Sequence, residues 1–178
     1  MIKLKLADRA EQVNPKLKGL YESSFPADER RDWADWQTII GKPEFSLYQI
    51  NNHEGFVGFI TAWQLPGSIF LEHFAILPEK RGSNYGTETL QEILQLYQEN
   101  FVLEVEKPLT EIAKKRIAFY ERAGFRLNRN KYFQPAYSPD KNKVMLLLMS
   151  YPHTLDTSQF DEVKRQIYSV VYNSTEQI

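Results

Sequence analysis

The sequence has no cysteine at all, which excludes disulfides, a thiol nucleophile and every cysteine-based zinc or iron–sulfur site. Histidine is almost as scarce. His53, His73 and His153 are the only three, they lie far apart, and none sits in a metal-ligand spacing such as HExxH, so no metal is expected. Eight glycines and nine prolines in 178 residues exclude collagen-like and low-complexity chains. No stretch approaches the ~18 consecutive apolar residues of a membrane span. The first ten residues, MIKLKLADRA, alternate apolar and charged side chains and lack the apolar segment and cleavage site of a secretory signal. The expectation is a cytoplasmic protein without a membrane partner.

What is present is enough for a core. Leu, Ile, Val and Phe together number 49, well above the roughly 20% below which highly charged chains stay disordered. The length predicts one domain. The net charge of −1 hides an uneven distribution: residues 1–106 carry 10 basic and 16 acidic side chains, 107–143 carry 10 and 3, and 144–178 carry 2 and 4. A basic segment inside an acidic chain suits a polyanionic ligand such as a phosphorylated cofactor, or forms a solvated helix face. No aromatic RNA-binding motif or zinc finger accompanies it, so no nucleic-acid partner is expected.

Period-two alternation over Ile2–Leu6 predicts a strand. Leu17, Leu20, Tyr21 and Phe25 predict a helix stopped by Pro26, and Trp33, Trp36, Ile39 and Ile40 predict a second from Asp28 or Glu29 to Ile40. Phe45–Ile50 and Phe56–Leu65 flank a polar turn and read as a hairpin. Ile69–Leu77 reads as a strand buried on both faces, followed by a charged loop and a helix over Tyr85–Tyr97. Phe101–Val105, Thr110–Ala123, Phe125–Phe133, Lys143–Met149 and Asp156–Tyr172 continue as strand, helix, strand, strand and helix. The order βααβββαβαββα, mixing hairpins with two crossovers, defines an α+β domain around a mixed sheet of about seven strands. The expected organisation is a domain over residues 1–150, with a helical extension over 151–178 packed on it.

The chemistry concentrates in Leu77-Pro78-Glu79-Lys80-Arg81-Gly82-Ser83-Asn84-Tyr85-Gly86-Thr87-Glu88. A glycine-bearing loop between a buried strand and a helix presents first-turn amides, and with the helix dipole these favour a phosphate. Gly82 and Gly86 let a ligand approach, Arg81 adds charge, and Ser83 and Thr87 offer hydroxyls. An ordinary turn is the plainer reading of the same residues. Both GxxxxGK[ST] and GxGxxG are absent. Glu72 interrupts the apolar strand just before this loop, and burial there is expected to raise its pKa into the range of a general base. The alternative for Glu72 is a wet strand face, with His73 as the functional group instead.

Arg81-x-x-Asn84-x-Gly86-Thr87 resembles the R-x-x-G-x-G/A motif of the GNAT superfamily of acyl-CoA-dependent N-acyltransferases. Ala118-Phe119-Tyr120-Glu121-Arg122-Ala123-Gly124-Phe125 is similar to that superfamily's FYE-x-x-GF segment, and Phe25-Pro26-Ala27-Asp28-Glu29-Arg30-Arg31 to its FP-x-x-ER-R sequence. The motifs span residues 25–125, and the element order extends the resemblance over nearly the whole chain. There are two departures. Asn84 replaces the first glycine of the loop motif, and Asn tolerates left-handed backbone better than most residues. Ala113 stands seven residues before Tyr120, where many members have Asn.

The resemblance implies acetyl-CoA in a splay between the fourth and fifth strands. Phe74, Ile76 and Leu77 would pair with the pantetheine, and Arg81 with the amides of Gly82, Ser83, Asn84, Tyr85, Gly86 and Thr87 would hold the pyrophosphate. Lys114, Lys115 and Arg122 are the expected neighbours of the remaining phosphate. It further implies direct attack of an amine on the thioester without a covalent enzyme intermediate, Tyr120 as the acid for the thiolate, and the Ile76 amide at the oxyanion. The acceptor, a small-molecule or peptide primary amine, would be walled by Phe25, Glu29, Arg30, Trp33, Tyr132 and Tyr137, with Trp36 and Gln134 nearby. Trp33 and Trp36 read equally as core. The last helix either covers the core or pairs with a second subunit as a homodimer. A non-catalytic acyl-CoA-sensing module is the rival to the enzyme.

Overall fold

In the computed structural model, which describes residues 1–174, the chain forms two compact units, residues 1–63 with 71–98 and residues 64–70 with the described residues from 99 onward. Residues 175–178, the end of the expected 151–178 extension, lie outside the described residues.

Unit 1 begins with β1 (Lys3–Ala7), paired antiparallel with β2 (Phe45–Asn52), which pairs antiparallel with β3 (Gly55–Leu65). β4 (Ser68–Ile76) starts in unit 2 and runs into unit 1 beside β3. Between β1 and β2 come α1 (Pro15–Ser24) and α2 (Trp33–Ile39). Asn14 caps α1 by accepting from the Lys16 amide at 3.0 Å, and Pro15 supplies the preset first-turn φ. Leu17, Leu20, Tyr21, Trp36 and Ile39 are buried with Phe45, Leu47 and Phe59. A loop then leads from β4 into α3 (Tyr85–Tyr97).

The second helix starts at Trp33, four or five residues later than the expected Asp28 or Glu29. Residues 27–29 make one 3-10 turn, and Arg30 is extended (φ −150°, ψ 156°). The reason is tertiary. Extended backbone carries the Arg31 amide to Tyr21 Oη, which accepts it at 2.9 Å, and turns the Arg31 guanidinium onto Glu72.

Unit 2 contains β5 (Phe101–Val105), α4 (Glu111–Arg122), β6 (Arg126–Leu127), β7 (Tyr132–Gln134) and β8 (Val144–Tyr151). β8 pairs antiparallel with β5 and β6, and also with β7. The single strand expected over 125–133 is therefore two. Asn128 breaks it: its amide donates to Leu148 O at 2.9 Å, and its side chain donates to Ser150 Oγ at 2.9 Å and accepts from the Leu155 amide at 2.8 Å. α5 (Thr157–Gln166) opens on a capping box between Asp156 and Gln159 and widens into a π-helical turn over Ile167–Val171. Phe160, Ile167, Tyr168, Val171 and Tyr172 are buried, so this helix covers core within its own unit.

Candidate active site

The loop after β4 is shaped by two left-handed residues. Gly82 has φ 80° and Asn84, the residue preceding α3, has φ 65° and ψ 0°. Asn is one of the few residues with a side chain that visit this region without large strain, so the glycine-to-asparagine departure preserves a left-handed backbone. The Asn84 side chain makes no capping bond to α3. Arg81, Gly82, Ser83 and Asn84 are exposed, while Tyr85, Gly86 and Thr87 are half-buried. Open, left-handed backbone leading into a 13-residue helix fits an anionic group at that helix's N-terminus.

Several contacts hold this segment. Arg81 Nε donates to Ile76 O at 3.0 Å, the Tyr85 hydroxyl accepts from Asn52 Nδ2 at 2.9 Å, and Lys80 pairs with Glu54. Phe74, Ile76 and Tyr85 pack against buried Ile2, Ile50 and Val57. Gly58 allows the end of β4 to come close, since a Cβ there would lie 2.3 Å from Ala75 O. The expectation for Leu77 needs correcting. Its amide donates to Val57 O at 2.9 Å and its carbonyl accepts from the Lys80 amide at 2.9 Å, so no Leu77 N–H is left to pair with pantetheine.

Glu72 is buried, with its side chain 1% exposed, but it does not have the raised pKa expected from burial. Burial alone would push it up. Desolvation is the largest single influence, but the Arg31 guanidinium, His73 and Trp63 Nε1, which donates at 2.8 Å, together outweigh it and hold the carboxyl far below the usual carboxylate range. An ion-paired carboxylate of this kind is a poor proton acceptor at neutral pH. His73 is also buried, with Nε2 3.0 Å from Glu29 O and Nδ1 3.6 Å from Glu72 Oε2. A carbonyl only accepts, so Nε2 carries the proton in that contact. Arg31 lies 5.3 Å from the Trp63 ring centroid. Burial, then the Glu72 charge, raises the Tyr21 pKa, so its phenol stays neutral.

Around this cluster the structure brings together Phe25, whose ring is 4.5 Å from His73, and Glu29 and Arg30, all half-buried. Trp33 is half-buried and stacks on fully buried Trp36 at 4.9 Å. Trp36 is thus core and Trp33 its outer face. Sequence reasoning missed Arg31 and Trp63 as partners of Glu72. Arg31 was visible only as one letter of a motif, and a tryptophan in an apolar strand carries no sign of its partner.

In unit 2, Tyr120 is half-buried on α4, with its ring 5.2 Å from Phe119 and 5.7 Å from Phe125. Burial pushes its pKa up to about 12 against a smaller lowering by Arg116, so it keeps its proton at neutral pH. Ala113 is buried, and its amide donates to the capping Thr110 hydroxyl at 3.1 Å. Lys114, Lys115 and Arg122 are exposed. Tyr132, expected in an acceptor wall, is fully buried and donates to Glu104, while Gln134 is 1% exposed and Tyr137 half-buried. Sequence reasoning also missed Glu104, although it interrupts apolar Phe101–Val105 just as Glu72 interrupts β4.

Among the described residues no group of three or more His, Asp or Glu side chains could hold a metal ion, and no helix is long and apolar enough to cross a membrane.

The acetyltransferase (GNAT) family matches residues 10–125. A protein from Bacteroides thetaiotaomicron assigned to the GNAT family of acetyltransferases is 31% identical, over 89% of this chain and 91% of that one, with a TM-score of 0.82. The ribosomal-protein-S18-alanine N-acetyltransferase of Escherichia coli shares 15% identity over 88% and 96% of the two chains, with a TM-score of 0.60. Arabidopsis thaliana Naa50, solved with the bisubstrate analogue CoA-Ac-MVNAL, shares 18% over 86% and 99%, with a TM-score of 0.62. No protein of curated function matches the sequence. The chain belongs to the GNAT acetyltransferase family, whose members carry out acyl-CoA-dependent N-acetylation. It has that family's fold, a mixed sheet of seven to eight strands flanked by helices.

Proposed function

We propose that this protein transfers an acetyl group from acetyl-CoA to a primary amine of a small molecule or peptide by direct attack, with no covalent enzyme intermediate. The observation that carries the reading is the left-handed path of Gly82 and Asn84 into α3. It supports a diphosphate held by main-chain amides of Gly82 to Thr87, with Arg81 beside it. Phe74 and Ile76 would offer backbone groups to the pantetheine, and the Ile76 amide would face the oxyanion. Lys115, with Lys114 and Arg122, would approach the remaining CoA phosphate.

Tyr120 is the proposed acid for the departing thiolate. Its elevated pKa means the phenol still holds its proton when the thiolate forms. Glu72 is proposed as a positioning residue rather than the base, because Arg31 and Trp63 already engage its carboxylate. Phe25, Glu29, Arg30 and Trp33 would then wall the acceptor side of unit 1. We take residues 1–150 as the catalytic domain and 151–178 as its helical extension.

Melting with and without acetyl-CoA tests the binding half, since a ligand at ~100 times its Kd stabilises by about 2.7 kcal/mol. Free-thiol release over a panel of amines tests the transfer, with no thiol background from a protein that has no cysteine. Acetyl-CoA without effect on melting would sink the proposal. Binding without turnover across the panel would favour an acyl-CoA sensor.

A further inference from the structure

The loop between β4 and α3 has little packing of its own. Arg81, Gly82, Ser83 and Asn84 are exposed, a Cβ at Gly82 would meet nothing within 4 Å, and the Asn84 side chain does not cap α3. A loop this open keeps one path only if its ends are fixed, because every residue ordered at the moment of binding costs conformational entropy. Its downstream end is Tyr85, the first residue of α3.

Tyr85 is fixed from the turn between β2 and β3, within the same unit. Asn52, the last residue of β2, is half-buried and uses both ends of its side-chain amide. Its Oδ1 accepts from the Glu54 amide at 2.8 Å, and its Nδ2 donates to Tyr85 Oη at 2.9 Å. A main-chain N–H only donates, so the amide oxygen must face Glu54 and the amide nitrogen the phenol. Asn52 pairs with Gly55 across the hairpin, so the anchor stands on the β2–β3 ladder. The Tyr85 hydroxyl is held there while the side chain packs against Ile2, Ile50 and Val57. The same turn reaches the loop a second time, through Glu54 and Lys80. That pair lies at the surface, where ion pairs contribute little, so the half-buried Asn52–Tyr85 bond is the stronger tether.

We propose that Asn52 is a positioning residue for coenzyme A binding, which acts through the Tyr85 hydroxyl to keep the left-handed path of the loop ready for the diphosphate. This rests on the acetyl-CoA reading above. It adds the β2–β3 turn, which no motif of the sequence marks, to the parts of the chain that hold the cofactor.

The test titrates the full chain calorimetrically with coenzyme A and with dephospho-coenzyme A, in the native form, in Asn52→Ala, in Tyr85→Phe and in the double variant. Tyr85→Phe keeps the ring and removes only the hydroxyl. Titrations run well below the melting temperature of each chain, so that losses are read on folded protein. Each single change should weaken binding about three- to tenfold, the worth of one hydrogen bond. The loss should be equal for the two ligands, because both carry the diphosphate. The double variant should bind no more weakly than Asn52→Ala alone, since both changes remove the same bond.

Three results would overturn the proposal. Variant affinities within twofold of native, whatever the change in melting temperature, would mean that the bond only staples the hairpin to α3. Losses that multiply in the double variant would mean that the two side chains act separately. A loss confined to coenzyme A would move the effect to the outer phosphate. A native chain that binds neither ligand sinks the acetyl-CoA reading and this anchor with it, whereas native binding with indifferent variants sinks the anchor alone.

Discussion

Glu72 and Tyr120 are both ionisable, and their surroundings move them in opposite senses. For Glu72, desolvation is outweighed by Arg31, His73 and Trp63 acting together, so the folded pKa lies below its ordinary value of 4.5. A carboxyl depressed on folding contributes stability that is fully present above that ordinary value and is lost as pH falls through the folded one. Glu72→Gln breaks the buried ion pair with Arg31 and should cost about 3 to 5 kcal/mol at neutral pH. Calorimetric melting as a function of pH should show the gap between native and variant chains shrinking below pH 4.5. A gap independent of pH would show that the ion pair is not the cause. For Tyr120, burial dominates and the proton is retained. Tyr120→Phe should lower kcat about 10²- to 10⁴-fold with little change in acetyl-CoA affinity, as read by thiol release and titration. Unchanged turnover would remove the acid role.

The loop between β4 and α3 shows how one element depends on backbone conformation more than on side-chain chemistry. Asn84 sits at φ 65°, where a β-branched residue is an outlier. Asn84→Val should therefore cost about 1 to 3 kcal/mol in the left-handed conformation and weaken acetyl-CoA binding, whereas Asn84→Gly should retain it. Equal acetyl-CoA affinity in all three chains would disconnect the loop's path from the cofactor. Elements with strong local signals were legible in the sequence. β5 begins and ends where its apolar run does, α4 runs from its Thr110 cap to the left-handed Gly124, and the Pro26 stop after α1 holds. α2 starts late because Arg31 is drawn away to Glu72, and the strand over 125–133 is divided at Asn128, whose side chain is tied to Ser150 and Leu155. Neither competitor is adjacent in sequence, so no local pattern could reveal it.

Across the whole molecule, the basic stretch over residues 107–143 stands out in a chain of net charge −1. Lys114, Lys115 and Arg122 are exposed on or at the end of α4, as a phosphate-facing surface requires. Lys114→Glu with Lys115→Glu should weaken coenzyme A binding about fivefold at low salt, while dephospho-coenzyme A, lacking the outer phosphate, should bind the double variant and the native chain alike. Equal losses for the two ligands would place those lysines elsewhere in the chemistry. The sequence by itself determined the element order, the family motifs and the absence of thiol chemistry, because capping, periodicity and composition act within a few residues. The tertiary fold is what makes Glu72 an ion-paired anion and what sets Glu104 among phenols from β7 and the end of the last helix. A buried charge takes its pKa from neighbours in space, and for Glu72 the guanidinium comes from Arg31, 41 residues away along the chain.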